Sequence, residues 1–276
     1  MNLNGFHSAI PYEQYAKWPE MNYSRLKHML RSPMAYRYAV DNPKPPTGPM
    51  LLGTACHRAI LEPERTGDFA VWTGGRRQGK EWEQFKLDHI GQQLLSVEDR
   101  DFVAGMCAAV HKNPTARRYL KTGESELCAL WTDPAAKRNF KARLDRFSLE
   151  DNLLIDVKTT RDCRPFRFGA DAFRLGYHIQ FSLYSDGIYY LTGKLPKVVV
   201  VAVENKPPFE TVVYLVPDDV LQQGKEDCSR LLARLAECER TNTWPPEIEG
   251  EAFLSLPTYA YQPEGDDLTD LELVAI

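Results

Sequence analysis

Hydrophobic residues recur with a helical period in the first part of the chain and with a strand period in its middle. Up to about residue 112, apolar side chains are spaced three or four apart, which predicts helices at 24–38, 51–61, 81–95 and 97–112. From Ser125 the apolar positions alternate, which predicts strands at 126–131, 140–149 and 153–160. The remaining pattern predicts helices at 173–191 and 220–240 and strands at 197–203 and 211–215. Strands connected across a helix predict an α/β fold with a central mixed β-sheet flanked by helices.

Prolines and glycines divide this pattern. Prolines interrupt any helix between the first two helical segments, at Pro43, Pro45, Pro46 and Pro49. Residues 74–79 form a basic, glycine-rich loop, and no internal repeat is visible. We therefore expect a single domain over 1–276, with a helical N-terminal lead (1–49), a core (50–240) and a tail (241–276).

The composition is that of a globular protein. Of the 276 residues, 43% are hydrophobic and 26% are charged, which is enough to bury a sizeable core. The longest apolar runs, such as 198–203, are far shorter than a membrane-spanning helix. The first residues show no basic segment followed by an apolar run, as a secretory signal would. We expect a cytoplasmic protein with no membrane contact.

Charge and cysteine content narrow the chemistry. The formal net charge is −4, so no overall positive field attracts the chain to nucleic acid, and DNA contact would need a local basic patch or a metal ion. The six cysteines lie at least ten residues apart, which fits neither a disulfide framework nor a local zinc site. Reduced, mostly buried thiols are expected.

The most informative stretch couples two acidic residues with a lysine. Asp156 and Lys158 are two apart on a predicted strand and project from the same face. A hairpin turn at 150–152 would bring Asp145, on the preceding strand, opposite or diagonal to Asp156. Facing carboxylates repel unless a cation bridges them, and hard oxygen ligands suit Mg²⁺ or Mn²⁺. The pattern predicts a metal site with a lysine at its edge.

Each of these charged residues could instead have a purely structural role. Asp156 and Lys158 could form a cross-strand ion pair at the sheet surface, and Asp145 could be a surface residue in a basic cluster. The apolar residues 153–155 favour the functional interpretation, because they predict a central strand buried on both faces. Charges buried there are costly unless they are paired, bind a metal or serve a function.

Five motifs together resemble the PD-(D/E)XK nuclease superfamily, and within it the exodeoxyribonuclease VIII (RecE-type) branch of phage exonucleases, which is related to RecB-like and lambda exonucleases. The resemblance covers about 22–240. The motifs are Ser24-Arg25-Leu26 with Arg31-Ser32-Pro33, Leu52-Gly53-Thr54-Ala55-Cys56-His57, Leu144-Asp145, Asp156-Val157-Lys158-Thr159-Thr160, and Tyr177-His178-Ile179-Gln180 with Tyr184-Ser185-Asp186-Gly187. The resemblance implies a restriction-endonuclease-like core with an N-terminal helical elaboration.

The resemblance also implies roles for individual residues. It makes Asp145 and Asp156 metal ligands and catalytic, with further ligands from the Val157 carbonyl, His57 and Glu126. Lys158 would orient the attacking water or stabilise charge on the phosphate. Glu124 is close enough in sequence to compete with Glu126, and His57 could instead be a core histidine. Two further catalytic candidates, four apart on one helix face, are Gln180 and Tyr184; they could instead be a capping glutamine and a core tyrosine.

DNA would be held through its phosphates, without base recognition. The candidate cations are Arg25, Arg31, Arg37, Arg76, Arg77, Lys80, Arg161 and Arg164, each of which could equally be a solvated surface charge. The only cysteines near the end of the chain, Cys228 and Cys238, are too few for the iron–sulfur cluster of some RecB-like nucleases, so none is expected. No Walker A pattern is present, so no ATP use is expected.

The first functional hypothesis is a Mg²⁺-dependent exonuclease, with Mn²⁺ as an alternative ion, acting on linear double-stranded DNA. The resemblance implies 5′ to 3′ digestion that supplies single strands to an annealing partner in phage-type recombination or repair. It also implies a homo-oligomer, with a ring as one form, in a bacterial cell, with a phage as one source of the gene. One alternative is an endonuclease or single-strand nuclease of the same superfamily. Another, from a different class, is a DNA-binding module with this fold and no catalysis.

Overall fold

The computed structural model describes residues 4–45, 47–64 and 68–255, and every structural statement concerns these residues. The N-terminal part contains one short strand, followed by short helices. These elements are β1 (Gly5–His7), α1 (Tyr12–Lys17), α2 (Tyr23–Leu26), a 3₁₀ turn (Lys27–Leu30) and α3 (Pro33–Asp41). Next come α4 (Gly48–Leu61), β2 (Phe69–Trp72), α5 (Gly79–Asp88), β3 (Gln93–Ser96), α6 (Val97–Lys112) and α7 (Pro114–Tyr119).

A six-stranded sheet forms the centre of the fold. It adds β4 (Glu124–Asp133), β5 (Arg138–Ser148), β6 (Leu153–Thr160), β7 (Lys197–Glu204) and β8 (Thr211–Val216), in the order β1-β4-β5-β6-β7-β8. Only β6 and β7 are parallel neighbours, and the connection between them carries α8 (Pro165–Arg174) and α9 (Tyr177–Thr192). The last helix, α10 (Asp218–Thr241), packs on α9. The predicted α/β class is confirmed, and the arrangement matches a restriction-endonuclease-like fold.

Helices cover both faces of the sheet. On β7, Val198, Val200 and Ala202 pack with α9 and α10, whereas Val199, Val201 and Val203 pack with α4 and α6. This continuous apolar strand is buried on both faces, as its sequence predicted. The core on the α9 side also contains N-terminal residues, among them Tyr23, Leu26 and Met29.

The predicted helix at 24–38 is wrong, because two caps divide it. The side chain of Asn22, not Ser24, accepts the backbone N–H of Arg25 at 3.0 Å, and α2 lasts only until Leu26. The Ser32 hydroxyl then accepts the N–H of Ala35 at 3.0 Å and begins α3, with Pro33 at its first position.

The predicted helix at 81–95 is also wrong in its second half. Helix α5 ends at Asp88, and Gly91 adopts a positive φ of 87°. Residues Gln93–Ser96 then form β3, which pairs in parallel with β2. The pattern of apolar residues did not predict β2, β3 or the edge strand β1.

The predicted helix at 173–191 is two helices. Gly176 separates α8 from α9 with a φ of 71°, and a Cβ atom there would lie 2.4 Å from the Tyr23 hydroxyl. That hydroxyl donates to the Leu175 carbonyl at 2.6 Å, so the break is fixed by contact with α2. Within the described ranges, no helix is both long and apolar enough to cross a membrane.

Candidate active site

Strands β5 and β6 separate where their two aspartates face each other. Their pairing includes Arg146 with Ile155, and the next positions in this register are Asp145 and Asp156. In place of a further ladder bond, the Val157 backbone N–H donates to Asp145 Oδ2 at 2.8 Å. The carboxylate therefore stabilises the opening between the strands, and the two aspartates flank it.

The neighbouring backbone is irregular at the same level. Leu144 and Phe147 are three residues apart yet pack in the same core, so the alternation of β5 is interrupted at Asp145. Opposite, β4 pairs regularly at Ser125 and Leu127, but Glu126 between them has a positive φ of 54°. A positive φ at glutamate is uncommon and costly, and such positions often lie at functional sites.

Lys158 lies against Asp156. Its ammonium forms an ion pair with Asp156 Oδ2, and the two side chains are only 13% and 3% exposed. The same ammonium is 4.8 Å from the centre of the Tyr177 ring, and Gln180 Nε2 donates to Asp156 Oδ1 at 3.3 Å. Helix α9 thus contributes two side chains to the surroundings of β6.

His57 reaches the site from α4. Its Nδ1 lies 3.4 Å from Asp145 Oδ2. Gly53, one helical turn earlier, faces the Thr159 hydroxyl, so one face of α4 packs along β6. The structure therefore brings together His57, Asp145, Asp156 and Lys158, four of the residues for which a role in the site was expected.

Burial and mutual charge shift the protonation of this group. Burial raises the pKa of Asp156 to about 6 despite the opposing effect of Lys158, and the Asp145 charge adds to the rise. Burial also raises the pKa of Asp145, but the charge and hydrogen bond of His57, together with the Lys158 charge and the Val157 N–H, outweigh it, so the net pKa is lowered. For His57 and Lys158, burial lowers the pKa, yet the two aspartates reverse the effect and raise it.

Glu126 and Tyr184 lie at the margin of the group. The Glu126 carboxylate is paired with Arg143, and its pKa is raised by burial and by the charge of Asp145. Glu124, its competitor in sequence, instead accepts from Ser8 at 2.9 Å. Tyr184 is 8% exposed and belongs to the core on the α9 side, so it lies behind Gln180 rather than on the surface.

The predicted DNA-contacting cations are spread over several surfaces. Arg31, Arg76, Lys80 and Arg161 are exposed, and Arg25 is half-buried and donates to the Pro19 carbonyl at 3.2 Å. The other three have acidic partners: Arg37 with Asp41 at 2.8 Å, Arg77 with Asp99 at 3.4 Å, and Arg164 with Asp162 at 2.5 Å. Arg77 and Thr159 also line one cavity of about 380 Å³, so the basic loop approaches the end of β6.

Three further residues lie near this group without a role predicted from the sequence: Lys27, Arg143 and Tyr177. Burial and the charge of Lys158 lower the pKa of Lys27. Arg143 Nη1 is buried and has no hydrogen-bond partner among the described residues. Lys27 adjoins the Ser24-Arg25-Leu26 motif, and Tyr177 is the first residue of the Tyr177-His178-Ile179-Gln180 motif, so the sequence pointed to both regions. For Arg143, the only indication in the sequence was its position two residues before Asp145.

The donor set fits a hard divalent cation. It offers two carboxylates, the Val157 carbonyl and an imidazole, and among the described residues the buried Asp156 Oδ2 makes no contact with a donor other than its ion pair with Lys158. The potential ligand atoms around Asp145 and Asp156 are less tightly grouped than those of Cys163, Glu204 and Glu210. In the described part of the chain, only these three form a trio of potential side-chain ligands with all atoms within 4.8 Å. That second trio is internally bonded, since the Cys163 N–H donates to Glu204 at 3.1 Å.

Comparison with known proteins supports the interpretation of the fold. Residues 22–254 match the model of a family described as a PDDEXK-like domain of unknown function (DUF3799). A crystal structure from Eubacterium rectale described as "Putative exonuclease" is 14% identical, with a TM-score of 0.62 and 98% of each chain covered. A "phage related exonuclease" from Haemophilus somnus 129PT is 13% identical, with a TM-score of 0.34 and coverage of 81% of this chain and 97% of that one. A search of curated proteins finds no match.

Proposed function

Because this chain belongs to the family of PDDEXK-like domains of unknown function (DUF3799), we propose that it is a divalent-metal-dependent exonuclease of linear double-stranded DNA. The family membership confirms the resemblance to the PD-(D/E)XK superfamily and supports a nuclease. Exonuclease action, 5′ to 3′ polarity and Mg²⁺ as the ion are the finer parts of the proposal.

One observation carries the proposal: Asp145, Asp156 and Lys158 meet where β5 and β6 separate. The opening is bordered by two carboxylates in adjacent register positions and by a buried ammonium two residues further along. An ion pair that served stability alone would gain little from this burial, because desolvation offsets its attraction. A buried constellation of this kind, with a raised aspartate pKa, is typical of a reacting site.

Asp145, Asp156, the Val157 carbonyl and His57 would hold the ion, with Glu126 beside them. A bound Mg²⁺ or Mn²⁺ would supply Lewis-acid stabilisation of phosphate charge and a lowered pKa of water. Lys158, held by Asp156 and the Tyr177 ring, orients the attacking water or stabilises charge on the phosphate. Gln180 fixes the Asp156 carboxylate, and Tyr184 supports Gln180 from behind.

In this proposal, the exposed arginines contact the phosphates of the DNA. Phosphate contacts do not read sequence, so digestion independent of sequence is expected. We take the 5′ to 3′ polarity of digestion from the resemblance alone. The same source supplies the homo-oligomer, the single-strand annealing partner and the role in recombination.

The test compares three substrates of the same duplex: linear with a 5′ label, linear with a 3′ label, and a covalently closed circle. With Mg²⁺ and without ATP, the proposal predicts early mononucleotide release from the 5′ label, late release from the 3′ label and no cutting of the circle. Cleavage of the circle would replace the exonuclease by an endonuclease. Binding of DNA without cleavage, with Mg²⁺ or Mn²⁺, would leave a non-catalytic module.

A further inference from the structure

A strip of arginines and aromatic residues follows directly after the proposed catalytic strand. Four arginines and two aspartates lie within 14 residues: Arg161, Arg164, Arg167 and Arg174, with Asp162 and Asp171. Helix α8 lies within this strip and exposes two phenylalanines, Phe166 and Phe173, each 69% accessible to solvent. Two large aromatic side chains exposed on one short helix among arginines make this surface a candidate for binding a partner.

The two phenylalanines lie on one face of α8. They are seven residues apart, or two helical turns and about 10.5 Å along the axis. Between them lies Gly169, where an added Cβ would meet no atom within 4 Å. The face therefore presents two aromatic rings separated by an open, small-residue step, on which flat groups can stack.

A cavity continues from this face into the molecule. It has a volume of about 280 Å³ and lies between α8, α9, β8 and the start of α10, lined by residues that include Phe173, His178, Phe181 and Tyr214. His178 is 7% exposed, and its Nε2 lies 2.9 Å from Asp227 Oδ2. Its Nδ1 is buried with no hydrogen-bond partner among the described residues. The cavity is thus largely apolar and aromatic, with polar groups of His178, Tyr214 and Gln223 in its wall.

The cavity is close to the proposed catalytic lysine. The Phe181 ring that lines it lies 5.8 Å from the Lys158 ammonium, so a single aromatic side chain separates the cavity from β6. A polynucleotide at Lys158 would meet this surface next.

We infer that the α8 surface, formed by Arg164, Phe166, Arg167, Phe173 and Arg174 with the adjoining cavity, binds single-stranded DNA. Bases stack on Phe166 and Phe173, and phosphates contact the arginines. A duplex hides the faces of its bases, so only an unpaired strand can use both rings. The choice of ligand rests on the proposed nuclease function, since degradation of one strand leaves the other unpaired.

The competing occupant is an acidic, apolar peptide. Residues 264–276 of this chain have that composition, and an arginine-rich surface would attract them as well. The spacing of the rings and their proximity to Lys158 favour DNA. The two occupants differ in their dependence on aromatic stacking and can be distinguished directly.

The experiment measures fluorescence anisotropy of labelled dT20 with the full chain in EDTA, where no cleavage occurs. Phe166→Ala with Phe173→Ala should weaken binding about tenfold or more, because stacking on one aromatic ring is worth about 1–3 kcal/mol per base. The matched control is Tyr189→Ala with Tyr190→Ala, two exposed aromatics at the far end of α9, which should bind normally. Phe173 stacks on His178, so Phe166→Ala alone, with no such contact, must also weaken binding.

A second measurement tests the arginines. Arg167→Ala with Arg174→Ala should reduce the slope of log affinity against log salt by about 1.4, as expected for two lost phosphate contacts on a single strand. Unchanged dT20 binding in the phenylalanine variants, or a labelled 264–276 peptide that binds through these phenylalanines while dT20 does not, would overturn the inference. Failure of the wild-type protein to cleave any DNA, with dT20 binding still dependent on Phe166, would overturn only the proposed nuclease function.

Discussion

The Val157 backbone N–H donates to the carboxylate of Asp145 at 2.8 Å, in the position where the β5–β6 ladder would otherwise continue. A side chain thereby replaces a main-chain acceptor and separates the two strands, which are regularly paired between this point and the hairpin turn. The separation sets Asp145 and Asp156 beside an opening rather than in a closed sheet. It is the local cause of the candidate active site.

Lys158 should be needed for catalysis but not for metal binding. Lys158→Ala should reduce cleavage of linear duplex by at least about a hundredfold, because charge stabilisation at a reacting phosphate is worth several kcal/mol. Mn²⁺ binding should persist, since both carboxylates remain. The control is Lys121→Ala, an exposed lysine that should leave cleavage unchanged. Cleavage at the wild-type rate in Lys158→Ala would mean that the site is misplaced.

Lys141 should stabilise the N-terminal segment. Its side chain is almost fully buried, and its ammonium donates to the carbonyls of Tyr15 and Trp18 at 2.8 and 2.7 Å. Lys141→Met keeps the volume but leaves these carbonyls without their donor, so we expect a loss of about 2 kcal/mol in the free energy of unfolding. Urea denaturation measures it, with Lys121→Met as the exposed control. Equal stability of Lys141→Met and wild type would contradict this role.

Close contact between α9 and α10 should require Gly224. A Cβ atom there would lie 2.1 Å from the His178 carbonyl oxygen. Gly224→Ala should therefore lower the unfolding free energy by about 1–3 kcal/mol, the usual cost of overpacking. Gly169→Ala, in the middle of α8 with open space around it, should instead raise it by up to about 1 kcal/mol. Thermal unfolding of both variants tests these two expectations. If Gly169→Ala destabilised the protein and Gly224→Ala did not, the requirement for glycine at position 224 would be contradicted.

Asp227 should contribute stability that disappears in acid. Partial burial raises its pKa, but hydrogen bonds from His178, Arg230 and Gln223 outweigh this and lower the net value below 3.8. A depressed pKa means that the folded state binds the proton less readily, so the stabilisation is present above about pH 4 and lost as the pH falls through the lowered pKa. The melting-temperature difference between wild type and Asp227→Asn should shrink below pH 4. A melting-temperature difference that stayed constant from pH 7 to pH 3 would contradict this. The control variant is Glu226→Gln, at the exposed neighbouring position.

The sequence predicted strands β4 to β8 better than it predicted the helices. Strand β7 is an uninterrupted apolar run and β6 places its charges two apart, so burial and period sufficed. The helix containing Pro33 and the one containing Gly176 were predicted as continuous, because their apolar spacing survives the break and only caps and contacts with Tyr23 reveal it. Strand β3 was missed because adjacent leucines, Leu94 and Leu95, fit a helix or a strand equally well.

The candidate site, too, contains some residues that the sequence could predict and others that it could not. Asp145, Asp156 and Lys158 come from one hairpin, whose register a sequence can indicate. The approach of His57 was available only through the motif resemblance, since it depends on packing of α4 against β6. The pairing of Arg143 with Glu126 depends on an irregular backbone that no periodicity encodes.

Titration of Mn²⁺ into the protein at neutral pH, followed by electron paramagnetic resonance, measures whether Asp145 and Asp156 hold a divalent ion. We expect binding by the wild-type chain, loss of binding in both Asp145→Asn and Asp156→Asn, and retained binding in Asp101→Asn, an exposed aspartate on α6. If the two site variants bind Mn²⁺ as the wild type does, Asp145 and Asp156 do not hold a common divalent ion, and the proposed nuclease site is wrong.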